Sequence, residues 1–257
     1  MLFRTVYGPE LKSLYQYICS SREPLSRQHI IKAFIPTSKG GENGASPQNV
    51  EDGLSFLVSS HLIEEHEGFF VGNRINAPFP LALLKNLRDV ERGTLQSRHP
   101  LDPQYSALLH HLFMSPDLLY SDNLHARANS IEDIKKLGGI SKEKIQAWKR
   151  VMEYLGLGYR INRGFMCAIA PALLMPIIET LPEGQVTLQR FFEHTLDRFT
   201  PYLNSSGDVA QPIRQPLLYL AEIRQIELSP LQDSPHKAYF QPNNLRQIKW
   251  ERAHATV

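Results

Sequence analysis

The stretch Ser130–Leu157, SIEDIKKLGGISKEKIQAWKRVMEYLGL, carries most of the fold reading. Ile131, Ile134 and Leu137 recur at the spacing that lines one face of a helix. Ser130 stands where an N-cap accepts backbone N–H groups, with Asp133 at capping-box spacing. Gly138 and Gly139 supply the positive φ of a sharp turn between helices. Ile140 then plugs the junction and Ser141 caps a second helix, whose buried side is Ile145, Trp148, Met152 and Leu155. Lys142, Gln146 and Arg150 fall on its solvent side.

Outward from this stretch, one order of segments occurs three times. An amphipathic helix is followed by a spacer, a second amphipathic helix and a closing apolar or aromatic pair. The first copy runs through Glu10–Cys19, then Val50, Leu54, Leu57 and Leu62–Ile63, to Phe69–Phe70. In the second the parts are Gln104–Phe113, then Ile145, Trp148, Met152, Leu155 and Leu157, and Phe165–Met166. The third has Leu188–Phe199, then Ile213, Leu217, Leu220, Ile223 and Ile226, and Tyr239–Phe240. Each closing pair sits beyond a polar or glycine-bearing turn, which predicts a β-hairpin. Leu81–Val90 reads as a short linking helix, and Pro171–Thr180 as an apolar-faced one that ends at Leu181–Gly184.

The Ser130–Leu157 stretch resembles the helix-turn-helix of the winged-helix superfamily, and the threefold order extends that resemblance over most of the chain. It implies a mainly α fold with small β-hairpin wings, arranged as tandem winged-helix domains. The expected boundaries are residues 1–80, a linker helix over 81–100, a central domain over 101–180 and a last domain over 181–257.

In that superfamily a helix like Ser141–Leu155 enters the DNA major groove. From Ser141 to Arg163 six basic residues, Lys142, Lys144, Lys149, Arg150, Arg160 and Arg163, outnumber Glu143 and Glu153 for a local balance of +4. Lys142, Gln146 and Arg150 are expected to reach base edges. Arg160 and Arg163 on the wing would contact phosphate, with Lys135 and Lys136 adding charge nearby. A plain solvated face is the alternative, since lysine is the usual way to keep one soluble. The first copy differs: Ser46–Val71 holds Glu51, Asp52, Glu64, Glu65 and Glu67 with no Lys or Arg, a balance of −5 that repels phosphate and suits protein contact. At the C-terminal end Lys237, Arg246, Lys249 and Arg252 stand against Glu251, with Tyr239, Phe240 and Trp250 interleaved. Lys237, Arg246 and Lys249 join the DNA-contact candidates, Phe240 is expected in the core, and Trp250 is open between core and base stacking.

Composition bounds the rest. The 257 residues are 42% hydrophobic and 21% charged, which excludes wholesale disorder and rod-like repeats. A formal charge of +2 excludes a histone-like polycation, so a nucleic-acid surface has to come from local clustering. No apolar run reaches the ~18 residues of a membrane span, and MLFRTVYGPE lacks the pattern of a signal peptide. Cys19 and Cys167 build no disulfide scaffold and suit a reducing cytoplasm.

Catalytic patterns are thin. Pro116–Asp117 with Asp133–Ile134–Lys135 has the spacing of a PD-(D/E)xK nuclease, but Asp133 and Lys135 fall within a helical stripe rather than on converging strands. Gly40–Gly44 has no Gly-Lys-Ser/Thr sequel and reads as a loop. The adjacent His110 and His111 point to different helix sides, and His61 and His66 lack zinc-ligand spacing. The expectation is therefore a non-enzymatic, cofactor-free protein that binds duplex DNA through its central domain. Winged helices also dock proteins in bacterial kleisin-associated proteins and in subunits of antiviral defence complexes. The resemblance therefore carries a second expectation, an adaptor subunit of an assembly on chromosomal or foreign DNA. Expected partners are duplex DNA and proteins met through the acidic first domain, with no membrane; a second copy of the chain stays open as a partner.

Overall fold

Among the described residues, three short antiparallel sheets punctuate a mainly helical chain. The computed structural model describes residues 8–35, 47–95, 103–114, 120–230 and 236–251. Helix takes up about 52% of it, so the fold is mainly α with small β elements. The first segment runs α1 (Gly8–Ser20), β1 (Leu25–Ser26), α2 (Arg27–Phe34), α3 (Pro47–Ser59), β2 (Ile63–His66) and β3 (Phe69–Gly72). After α4 (Phe79–Glu91) come α5 (Pro103–Met114), β4 (Tyr120–Ser121), α6 (Leu124–Ser130), α7 (Glu132–Lys136), α8 (Lys142–Tyr154), β5 (Gly158–Ile161) and β6 (Gly164–Cys167). The last segment is α9 (Pro171–Ile178), β7 (Gly184–Thr187), α10 (Leu188–Arg190), α11 (Gln211–Glu222), β8 (Glu227–Ser229) and β9 (Gln247–Trp250).

The sheets share one order: β1-β3-β2, β4-β6-β5 and β7-β9-β8. In each, a strand that precedes the helices pairs with the far strand of the closing hairpin. The first two hairpins also share a register. Glu65 faces Phe70 as Arg160 faces Phe165, and both phenylalanines are buried. The β2–β3 turn is Glu67–Gly68, both with positive φ (52° and 82°), as a two-residue type I′ turn requires.

Contacts divide the chain into two compact units, Met1–Ala107 with Ala128–Leu155 and Leu108–Arg127 with Gly156–Val257. In the first unit α1 buries Leu11, Leu14 and Ile18, α3 buries Val50, Leu54 and Leu57, and α4 buries Leu83, Leu84 and Leu87. Glycine brings α1 and α3 together: a Cβ on Gly53 would lie 2.7 Å from Leu14 Cδ1. In the second unit Phe192 stacks on Tyr202 (5.4 Å between centroids) and meets Tyr239 at 4.7 Å. Phe240 lies 6.1 Å from the same ring, so its expected place in the core holds.

Several local expectations need correction. Ser130 ends α6 instead of capping the next helix, and α7 starts from Ile131 with no side-chain cap. Its stripe is weaker than the periodicity implies, since Ile134 is buried but Leu137 is exposed. The third hairpin closes on Gln247–Trp250, while Tyr239 and Phe240 belong to the excursion between β8 and β9. Leu188–Phe199 is not one regular helix. The short α10 passes into a π segment at Phe191–Thr195 and a 3-10 turn at Leu196–Arg198, so two consecutive phenylalanines are buried. By chain order the helix before β7 is α9, so the third copy starts there. The Gly40–Gly44 loop, Asp117 and Arg252 lie outside the described residues.

Candidate nucleic-acid interface

The α7–α8 corner is built as its glycines dictate. Gly138 and Gly139 have φ of 83° and 76°, and Ser141 caps α8, its hydroxyl accepting from Lys144 N at 3.4 Å. Two side-chain amides absent from the sequence reading fix the turn. Asn129 Nδ2 donates to Ile140 O (3.0 Å) while its Oδ1 accepts from Ile140 N (2.9 Å), and Gln104 Nε2 donates to Gly139 O (2.6 Å). An asparagine at a helix end followed by a double-glycine turn is the only sequence sign of this clamp.

Ile145, Trp148, Met152 and Leu155 are buried as their spacing predicts. Burial also takes in Ala147, Lys149 and Val151, so α8 is covered around more than half of its circumference. One cause is α1, which packs on α8 with the Tyr154 ring over Gly8. Lys149 is 5% exposed and is therefore corrected: it is no part of a surface that meets DNA. Lys142 and Gln146 are exposed, and Lys144 and Arg150 are half-buried, with the exposed Glu143 and half-buried Glu153 beside them. Lys135 and Lys136 are exposed on α7, each near an acid of its own turn, Glu132 (3.4 Å) and Asp133 (3.7 Å). Such exposed pairs contribute little and yield readily to a stronger anion.

Arg160 and Arg163 are exposed on the β5–β6 hairpin, in the second compact unit. No acid occurs between Gly156 and Ala170. The outer face of this sheet carries a row the sequence reading missed. Tyr120 pairs with Met166, which pairs in turn with Tyr159, and both tyrosines are exposed. Alternation along each strand could have found it, because Tyr159 and Met166 are out of phase with the buried Phe165.

In the last segment the cations are tied down locally. Lys237 Nζ lies 5.1 Å above the Tyr239 ring, Arg246 Nε donates to His236 O (3.2 Å), and Lys249 pairs with Glu251 (3.1 Å). The Glu251 carboxylate also raises the Lys249 pKa. Trp250, open between two roles in the sequence, is core: it is buried, with Nε1 donating to Pro182 O at 3.1 Å.

The acidic set of the first segment is mixed. Glu51 and Asp52 are half-buried on α3, with Gln48 Nε2 donating to Asp52 Oδ1 (2.7 Å). Glu64 pairs with His66 (3.1 Å), a hydrogen bond that lowers its pKa, and Glu67 is exposed in the turn. Glu65 meets Arg27 of α2 at 2.9 Å, so the local balance is less negative than Ser46–Val71 alone implies. Phe69 and Val71 are exposed on β3, opposite His66 and Glu64.

Asp133 and Lys135 sit on a five-residue helix. Among the described residues no three His, Cys, Asp or Glu come together as metal ligands, and no helix is long and apolar enough to cross a membrane. Comparison with family models, with curated proteins and with solved structures finds no match.

Proposed function

We propose that the chain is an array of three winged-helix modules and that it binds duplex DNA without catalysing a reaction. The observation that carries this reading is the sheet order first–third–second, repeated three times around helices in the same chain order. In such a module the helix before the hairpin meets the major groove and the hairpin meets phosphate. Those elements of the central segment are α8, with Lys142 and Gln146 exposed in its first two turns, and β5–β6, with Arg160 and Arg163 exposed. Lys135 and Lys136 supplement α8.

Fluorescence anisotropy with a labelled 20-base-pair duplex tests the proposal. Wild type is expected to bind in a salt-sensitive way, and Lys142→Glu combined with Arg163→Glu to weaken binding at least about tenfold. No salt-sensitive binding by wild type would remove the reading. Lys149 is left intact in this test because its burial would confound binding with folding.

A second reading has its own support in the first segment. Phe69 and Val71 are exposed beside Glu64 and Glu67, an apolar patch with an acidic rim. Such a surface suits a basic protein partner, as an adaptor in a DNA-associated assembly requires. DNA binding by one module and protein docking by another are compatible.

A further inference from the structure

The three sheets share a topology but not an outer face. On the β7-β9-β8 sheet the outer row is Gln185–Lys249–Glu227, and on the first hairpin Glu64 faces Val71. On the β4-β6-β5 sheet the row is Tyr120–Met166–Tyr159, with Tyr120 40% and Tyr159 47% exposed. Two exposed rings on either side of a thioether form an apolar strip in a segment otherwise free to be polar.

Gly164 accounts for how one ring lies. A Cβ at that position would fall 2.4 Å from Tyr120 Cζ and Oη, so the ring extends along the sheet over bare β6 backbone. One side of the ring is thus held against the sheet and the other is left to solvent. The tyrosines are two strand spacings apart, about 10 Å. The strip ends at a hairpin carrying Arg160 and Arg163, in a stretch from Gly156 to Ala170 that holds no acid.

We propose that this face is a stacking platform for the unpaired bases of single-stranded DNA. Rings held on a sheet accept bases of any sequence, and Arg163 in the hairpin turn supplies a cation for the backbone, whereas Arg160 lies in register with Phe165 on the other face. The charge balance selects this occupant over an acid-poor peptide, which would gain nothing from the Arg163 cation in a hairpin without acids. The inference rests on the nucleic-acid reading above and deepens it.

The test is anisotropy of a labelled dT15 oligonucleotide, run beside the 20-base-pair duplex. Tyr159→Ala is expected to weaken dT15 binding about tenfold, Tyr159→Phe to bind within about twofold of wild type, and both to bind duplex normally. Tyr159 is exposed, so its truncation leaves the core intact, and Tyr120→Leu gives an independent second variant with the same expected loss. Unchanged dT15 binding by both Tyr159→Ala and Tyr120→Leu overturns the platform. So does tighter binding of rU15 than dT15, or Tyr159-dependent self-association without dT15 binding. Duplex binding without dT15 binding sinks the platform and leaves the duplex reading standing; dT15 binding without duplex binding does the reverse.

Discussion

Asn129 fixes the α7–α8 corner through contacts that the periodicity does not point to. Its amide satisfies both backbone groups of Ile140, a residue whose side chain is buried. Asn129→Ala would leave an N–H and a C=O unpaired there, at a cost of about 1–3 kcal/mol. Asn129→Asp keeps the acceptor and loses the donor, so its urea midpoint should fall between those of wild type and the alanine variant. Cys167 makes a different residue-scale prediction. Burial pushes its thiol up to about 12, against roughly 8.5 in an unfolded chain. Below pH ~8.5 both states hold the proton and the buried thiol's contribution is complete. Between that value and about 12 the unfolded chain releases a proton that the folded one keeps, so stability falls as pH rises. Urea melts at pH 8 and pH 10 should show a loss from this group of about 2 kcal/mol. Cys167→Ala, less stable at pH 8 because of its cavity, should lose correspondingly less on going to pH 10.

Elements whose signals are local were legible in the sequence. The glycine turn, the Ser141 cap and the first two hairpins all follow from residues within a few positions of one another. Lys149 was not, because its burial is set by tertiary packing around α8 that no neighbouring residue in the sequence signals. The third hairpin was missed for a related reason: β8 and β9 are separated by a long excursion, and its bridged Tyr239 carries the aromatic signal that a closing strand would show. Two strand glycines show how packing sets the cost of one added methyl group. At Gly72 a Cβ would lie 2.3 Å from Cys19 Sγ and 3.0 Å from Cys19 Cα, so a helix backbone has to give way. Gly72→Ala should therefore cost about 1–3 kcal/mol in a denaturant melt. At Gly164 the obstacle is the far end of the exposed Tyr120 side chain, which can swing into solvent. Gly164→Ala should leave the melt nearly unchanged while weakening dT15 binding. Equal stability losses in the two variants would mean that the Tyr120 ring is locked in place.

For the whole molecule, charge sets the sharpest constraint. A net balance of +2 over 257 residues supplies almost no general attraction for a polyanion. Duplex affinity therefore has to come from a few cations, and the exposed candidates are Lys135, Lys136, Lys142, Arg160, Arg163 and Lys237, the last held over the Tyr239 ring. Each phosphate neutralised contributes about −0.9 to the slope of log K against log salt. Use of three to five of these residues predicts a slope between roughly −3 and −5, a loss of about a hundredfold between 50 and 200 mM salt. Lys142→Glu should flatten the slope by about one if that side chain touches phosphate, and should leave it unchanged while relaxing sequence preference if it touches a base. A slope near −1 with sub-micromolar affinity would mean that the cations are bystanders. Recognition would then belong to apolar contact, with the Tyr120–Met166–Tyr159 strip as the surface to mutate next.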